Sequence, residues 1–464
     1  MLPKKTFPRL AAAGAAGAAA ILLAACGSGT PSSSATGSSG TSASASASAS
    51  ASVLAGGTSC SSSATKLTFW AWVPGMNRAV NEFNQTHPDI CVTLEDPGAG
   101  DVEYTALNNA LKAGTGAPDV AEIEFDELPS FEIQHYLVNL VPYGANSDKS
   151  KFASWAWGQV SQGSAVYAMP SDWGPMGFYY DQQTLSKYHL TPPSTWAQLA
   201  SDAVKLHSER SSSYIMNFNA NDPQWLMDMM AQAGAWPYTY SGGANITIDW
   251  TGPKQEAFAA FWQKLINEKA VGLFNDAGTE VDTNLDNGTL ASAIDSAWAP
   301  SYFVADAKKS LGQWRAAPIP QWTAGADVNA DWGGSTYPVF TQSKHPQQAA
   351  TFAEWLTSTD ASWNIVKTPP SSLFPTYLPT LQSASFKSLT YPVSGSSQPN
   401  QVFSPSAQNI PQTPWPPFMT EVLNQQPTTF GGVLNGKETL QQAFTAFQQQ
   451  EVAYAKSQGF NVSP

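Results

Sequence analysis

Between residues 66 and 126 extended runs alternate with amphipathic helices, and this order constrains the fold more than anything else in the chain. Residues 66–72 and 90–94 read as strands, and Ala79, Val80 and Phe83 between them fall at helical spacing. Such a βαβ unit makes the two strands parallel neighbours. A second helix follows, with Tyr104, Leu107, Ala110 and Leu111 on one face, and Gly114, Gly116 and Pro118 break it. Pro118 and Asp119 supply turn and cap chemistry. Residues 120–125 are then expected as one further strand. In an open α/β sheet, ligands sit beyond the carboxyl ends of the strands, so Glu124 and Asp126 are expected at a cleft.

At 464 residues the chain is too long for one ordinary core, and two domains are expected. Apolar residues make up 42% and charged residues only 12%, with a formal net charge of -13. An acidic protein without a basic run is a poor partner for nucleic acid or anionic lipid headgroups. The five histidines, at 87, 135, 189, 207 and 345, have no second histidine at i,i+4, so no metal or other cofactor is expected. Gly431 to Lys437 has the spacing of a phosphate-binding loop, but Glu438 stands where a Ser or Thr is needed, and the stretch reads as the approach to a helix.

The N-terminus reads as a targeting segment. Lys4, Lys5 and Arg9 precede an uncharged run, residues 10–23, that is short for a bilayer span. It ends in Leu23-Ala24-Ala25-Cys26-Gly27, which resembles the lipobox of bacterial lipoproteins, where Cys26 would become the acylated first residue. Acyl chains there would anchor the protein to the membrane without a transmembrane helix. Residues 27–64 are almost entirely Ser, Ala, Gly and Thr, a flexible tether with a reach on the order of 30 to 35 Å. Cys60 and Cys91 remain as a pair. They fall at the amino ends of the two parallel strands, so a structural disulfide is expected.

The later chain carries several short motifs that keep a fixed order. Leu67-Thr-Phe-Trp-Ala-Trp72, Leu111-Lys-Ala-Gly114, Ala117-Pro-Asp-Val120 and Leu128-Pro-Ser-Phe131 come first. Then follow Tyr167-Ala-Met-Pro170, Gly174-Pro-Met176, Tyr179-Tyr-Asp181 and Pro193-Ser-Thr-Trp196. Gly312-Gln-Trp314, Pro318-Ile-Pro-Gln-Trp322, Gly333-Gly-Ser-Thr336 and Ala350-Thr-Phe-Ala-Glu-Trp355-Leu complete the set, with Gly436-Lys437 before the last helix. In this order and spacing, over residues 65 to 460, the chain resembles the family 1 extracellular solute-binding proteins of ABC transporters, in particular actinobacterial sugar-binding lipoproteins. One departure is the stretch from Asn287 to Ile294, where the family has a Lys or Glu after the Gly and a Met near the end.

The resemblance implies an α/β, two-lobed periplasmic-binding-protein-like fold, each lobe a sheet flanked by helices, joined by a multi-strand hinge. Crossings are expected near residues 169–175, 317–322 and 368–374. The expected division is a signal peptide at 1–25, a lipidated tether at 26–64, one lobe from 65–170 and 318–372, and the other from 171–317 and 373–464. It also implies a monomer held on the extracellular face of the cell membrane, taking a carbohydrate ligand and handing it to the permease subunits.

The residues themselves fit a sugar ligand. Seventeen Trp and 12% aromatics supply flat faces for the C–H side of a pyranose, while neighbouring carboxylates and amides hydrogen-bond its hydroxyls. Stretches that place both kinds of group together nominate Trp72, Asp172, Trp173, Asn219, Trp225, Asp295, Trp298, Tyr302 and Trp332, beside Glu124 and Asp126. In the family, an aromatic at positions like Trp298 and an acid at positions like Asp126 line the cleft. Trp70, Trp196, Trp262 and Trp355 lie on faces that read as core. Two rival readings are a binding protein for a polyamine or other cation, suggested by the acidic charge, and a secreted glycoside hydrolase using carboxylates such as Glu122, Glu124, Asp126 and Asp172.

Overall fold

The strand Thr65–Trp70 runs parallel to Ile90–Asp96, with Thr65 opposite Ile90 and Trp70 opposite Glu95. Between them the helix Met76–Thr86 buries Met76, Ala79, Val80 and Phe83, the stripe that the spacing predicts. This computed structural model describes residues 52–53, 60–276, 279–300 and 309–463. Cys60 and Cys91 form a disulfide with their Cα atoms 5.8 Å apart. Closing the 31-residue interval stabilises by roughly 3 to 4 kcal/mol in the chain-entropy account.

Residues 120–125 do not form one strand. Val120–Ala121 pairs parallel with Phe69 and Trp70, whereas Ile123–Glu124 pairs antiparallel with Ser335–Pro338 in a different sheet. The break falls on Glu122, which is fully buried. Its Oε2 accepts the backbone N–H of Trp72 and of Val73, and its Oε1 accepts the Ser335 hydroxyl. A side chain that bonds to both sheets takes the place of a continuous ladder.

The buried apolar side chains fall into two clusters. The first gathers the parallel sheet, its helices and Pro346–Ser358. The second gathers Trp196, Trp225, Trp250, Trp262 and the C-terminal helices Met419–Leu434 and Leu440–Ser457. Between them lies an antiparallel sheet of Ser292–Ser296, Met176–Asp181 and Trp314–Pro318, with Met176–Asp181 at its centre. Alternation along this strand sends Met176 and Phe178 to the second cluster and Tyr179 to the other face, where Phe403 covers it at 5.4 Å.

Three segments run side by side between the clusters. Residues 171–176 hydrogen-bond to 330–335 on one side, through Ser171 N to Ser335 O (2.9 Å) and Trp332 N to Gly174 O (2.9 Å). On the other side Trp173 N donates to Phe374 O (3.0 Å) and Thr376 N to Ser171 O (2.9 Å). The second passage therefore comes at 330–336, later than the 317–322 stretch that the sequence suggested. Ile319 and Ala330 still belong to the second cluster, and Trp322 packs on Trp196 (5.8 Å) and Phe261 (4.9 Å). Proline density at 317–322 marks a turn inside that cluster.

Trp70, Trp196, Trp262 and Trp355 are all buried. Trp355 packs edge-on against Phe83 at 5.3 Å and does not line the cavity between the two clusters. Trp355→Ala is expected to cost about 3 kcal/mol, read as a lower urea midpoint, with no change in ligand affinity of the folded protein. A midpoint unchanged within error would show that this ring is dispensable to the core.

Candidate functional site

A cavity of about 590 Å³ lies on the three-segment hinge, between the two clusters. Trp72 and Glu124 reach it from the carboxyl ends of the parallel strand Thr65–Trp70 and of Ile123–Glu124. Asp172, Trp332 and the Gly333-Gly334 pair form its floor, and Asp295 and Trp298 come from the end of Ser292–Ser296 and just beyond. Asn217, Asn219, Asp222 and Gln224 approach along the chain that leads into the helix Pro223–Gln232.

The floor is close-packed backbone. Gly334 has φ +92°, and a Cβ there would lie 2.7 Å from Asp172 O. At Gly174 a Cβ would lie 1.9 Å from Trp332 O and 2.8 Å from Trp298 Nε1. Glycine at these positions lets the hinge segments touch, and so lets Trp298 Nε1 donate to Trp332 O at 2.8 Å. The rings of Trp298 and Trp332 lie 5.1 Å apart and inclined by 54°. Trp72 stands edge-on to Tyr104 at 5.9 Å, and the Tyr104 hydroxyl donates to Glu124 Oε2 at 2.9 Å.

Seven of the nominated residues therefore meet at the cavity: Trp72, Glu124, Asp172, Asn219, Asp295, Trp298 and Trp332. Three others do not line it. Asp126 sits in the turn that follows Ile123–Glu124, so strand alternation no longer aims it with Glu124; its Oδ2 accepts Gln224 Nε2 at 2.6 Å. Trp173 follows the cavity-facing Asp172 in an extended segment and so points the opposite way, 6.1 Å from Trp155. Trp225 follows the cavity-lining Gln224 on a helix, where one residue turns the side chain about 100°. It packs on Phe218 at 5.5 Å and donates to Ile294 O at 3.0 Å. Tyr302 and Cys26 lie outside the described residues.

The cavity also holds residues that the sequence reading did not nominate. Asn217 donates to Asn219 Oδ1 at 2.7 Å, and this i,i+2 pair on one face of an extended run was a readable signal. Asp276 and Asp282 come from a turn and a short helix with no pattern to single them out.

Burial dominates the electrostatics. It pushes Glu122 up to about 8, with the Asp172 charge adding and the bonds from Ser335, Val73 and Trp72 opposing. It pushes Asp172 to about 7 and Asp222, beside Asp276, to about 8. Glu124 and Asp295 are also held well above the ordinary carboxylate range by burial. Among the described residues no cluster of His, Cys, Asp or Glu is arranged to hold a metal ion, and no helix is long and apolar enough to cross a membrane.

Two α/β lobes around a hinge, with an aromatic and acceptor-rich cavity on that hinge, define a two-lobed solute receptor. Residues 71–363 match the bacterial extracellular solute-binding protein family, and the chain belongs to it. An arabinooligosaccharide-binding protein of Halalkalibacterium halodurans is 25% identical over 302 residues, which cover 62% of this chain and 66% of that protein. The arabinooligosaccharide-binding protein of Bacillus subtilis is 24% identical over 311 residues, covering 64% and 70%. The chain thus spans about two thirds of the length of these relatives. Among solved structures, the ABC transporter associated binding protein from B. animalis subsp. lactis in complex with β-1,6-galactobiose has a TM-score of 0.75 and 28% identity, covering 86% of this chain and 100% of that one. The family and these neighbours are binding proteins.

The raised acids have a consequence for stability. Each has a higher pKa folded than unfolded, so the folded state binds more protons between about pH 4 and pH 8. That contribution is complete below the unfolded values and is lost as pH rises through the folded ones, about 7 to 8 for Asp172, Asp222 and Glu122. The ligand-free melting temperature is expected to fall from about pH 5.5 to about pH 8.5, and Glu122→Gln to flatten that slope. A melting temperature that climbs over this interval would contradict the assignment of these acids as protonated.

Proposed function

We propose that this protein captures a carbohydrate, an oligosaccharide, in the cavity on its hinge and delivers it to the permease of an ABC transporter. The observation that carries this reading is the company kept by the three cavity tryptophans. Trp72, Trp298 and Trp332 line it beside Glu124, Asp172, Asn219 and Asp295, the pairing of aromatic ring and hydrogen-bond acceptor that a sugar ring requires. The oligosaccharide ligands of the relatives support it.

Binding draws the lobes together about residues 171–176, 330–335 and 374–376, and the permease reads the closed form. We assign lobe 1 to 65–170 together with the chain from 336 to 372, and lobe 2 to 171–330 together with 373–464. The carboxylates act as acceptors, and the ligand leaves intact. Cys26 carries the lipid anchor on the extracellular face of the membrane and the receptor works as a monomer; the tether is shorter than the expected 26–64, because Ser52–Val53 already pairs with Glu95 and Asp96 at the edge of the parallel sheet. Cys26→Ser is expected to move the protein from the membrane fraction to the culture medium; retention in the membrane would place the anchor elsewhere.

The test of the central reading is a thermal-shift screen of the purified protein against mono- and oligosaccharides, with each hit recovered and sized. A ligand that binds only the folded state raises the melting temperature in proportion to RT ln(1 + [L]/Kd). A shift with the saccharide recovered whole is expected, and a shortened saccharide would make the protein a hydrolase. Trp298→Ala should weaken the best saccharide at least tenfold while the ligand-free melting temperature changes little. Unchanged affinity would move the site away from this wall.

A further inference from the structure

The cavity is unusual in its charge. Asp282 lines it, and so do six further acids, Glu122, Glu124, Asp172, Asp222, Asp276 and Asp295, while no described Lys, Arg or His does. None of these six makes an ion pair with a described residue; the ion pairs among the described residues join Lys151 to Asp148, Lys264 to Glu268 and Lys309 to Asp286, all elsewhere. Asp222 and Asp276 hydrogen-bond to each other, which two carboxylates do only when a proton lies between them. On the floor, Asp172 is 4% exposed and its Oδ1 has no hydrogen-bond partner. A buried acceptor without a donor is costly, and here it borders the space that a ligand fills.

Sugar hydroxyls can donate to these oxygens, but an ammonium matches them more fully. Each hydroxyl donates one hydrogen and brings no charge, whereas an ammonium donates three and brings a positive charge that no described residue of the lining supplies. The tryptophan faces at Trp72, Trp298 and Trp332 favour a cation as well. We propose that the captured saccharide carries a protonated amine, an amino sugar unit, whose ammonium sits on the cavity floor against Asp172. This rests on the carbohydrate reading above and narrows it to one chemical class.

The experiment uses the purified protein and saccharide sets of one framework: chitosan oligosaccharides with free amines, the matching N-acetylated chitin oligosaccharides, and cellooligosaccharides with a hydroxyl in that place. Galactosamine and galactose, mannosamine and mannose extend the comparison to other stereochemistries, and spermidine serves as a cation without a sugar. Calorimetric titration is expected to show at least one amine binding tenfold or more tighter than its neutral partner. That preference should shrink as sodium chloride is raised, and should drop tenfold in Asp172→Asn, whose fold is checked by its ligand-free melting temperature. Titration in buffers of different ionisation enthalpy should show protons released as the amine binds. Neutral members binding as tightly as their amines would overturn the amine and leave the carbohydrate reading standing. Spermidine binding without any saccharide, or no binding by either class of sugar, would overturn both. An amine preference intact in Asp172→Asn would overturn the placement on the floor.

Discussion

The structure turns on one buried carboxyl group. Glu122 ends the strand that pairs with Trp70, and its two oxygens then fasten the backbone of Trp72 and Val73 on one side and Ser335 on the other. Without it the N–H groups of Trp72 and Val73 would end a parallel sheet with no partner, at the point where the cavity begins. The group also fixes Trp72 as a wall of the cavity and draws the hinge segment at Ser335 against the first lobe. Backbone geometry and binding-site geometry are thus set by the same side chain. Burial and the Asp172 charge push it up to about 8, against the three bonds it accepts, which favour its charged form.

Around this joint the hinge is built for close approach rather than for bulk. Residues 171–176 lie between two other segments, and Asp331 Oδ1 accepts Gly174 N at 2.7 Å. Asn329 Oδ1 accepts Met176 N at 3.1 Å. Side-chain acceptors here replace ladder bonds in a region where the strands change sheets. Those acceptors lie within the hinge and keep its backbone groups satisfied without a continuous ladder. The absence of side chains at Gly174 and Gly334 brings Trp298 and Trp332 down to the same layer as Asp172, so hinge and floor are one surface.

Much of this was legible in the sequence where the signal was local. The βαβ unit followed from periodicity, because Ala79, Val80 and Phe83 repeat at helical spacing within one turn of chain. Positions beside a breaker were harder. Residues 120–125 read as one strand, since nothing in the alternation of Glu122 and Glu124 with apolar residues reveals that Glu122 will bond to two sheets. Side parity decided the nominated residues. Asp172 and Trp173 were named together, yet an extended chain can present only one of them to the cavity; on the helix Trp225 was named, while its neighbour Gln224 is the one that faces inward. Composition identifies such pairs as polar and aromatic neighbours, while only the register of distant partners says which member faces inward. Asp276 and Asp282 were invisible because their place depends on how a turn packs across the cavity.

The lobes are also joined away from the cavity, and this bears on how a ligand can move them. Gln224 Nε2 donates to Asp126 Oδ2 at 2.6 Å, Thr420 Oγ1 to Glu127 Oε2 at 2.9 Å, and Met419 N to Ser130 Oγ at 3.3 Å. Each bond links the rim of the first cluster to a helix of the second. Beside them Glu124, Asp126 and Glu127 crowd together, Glu124 half-buried and the other two buried, and burial holds all three above the ordinary carboxylate range. A ligand shifts the balance between open and closed forms only by its differential affinity for the two. Gln224 is where that difference can enter, because it lines the cavity and is also the donor to Asp126. Asp126 Oδ1 already lacks a partner, so a ligand that drew the Gln224 amide away would leave the whole carboxyl group without a side-chain donor. A ligand that instead accepts the second hydrogen of that amide keeps the bond and adds to it. Closure therefore rewards ligands that meet Gln224 with an acceptor, as the ring and hydroxyl oxygens of a saccharide do.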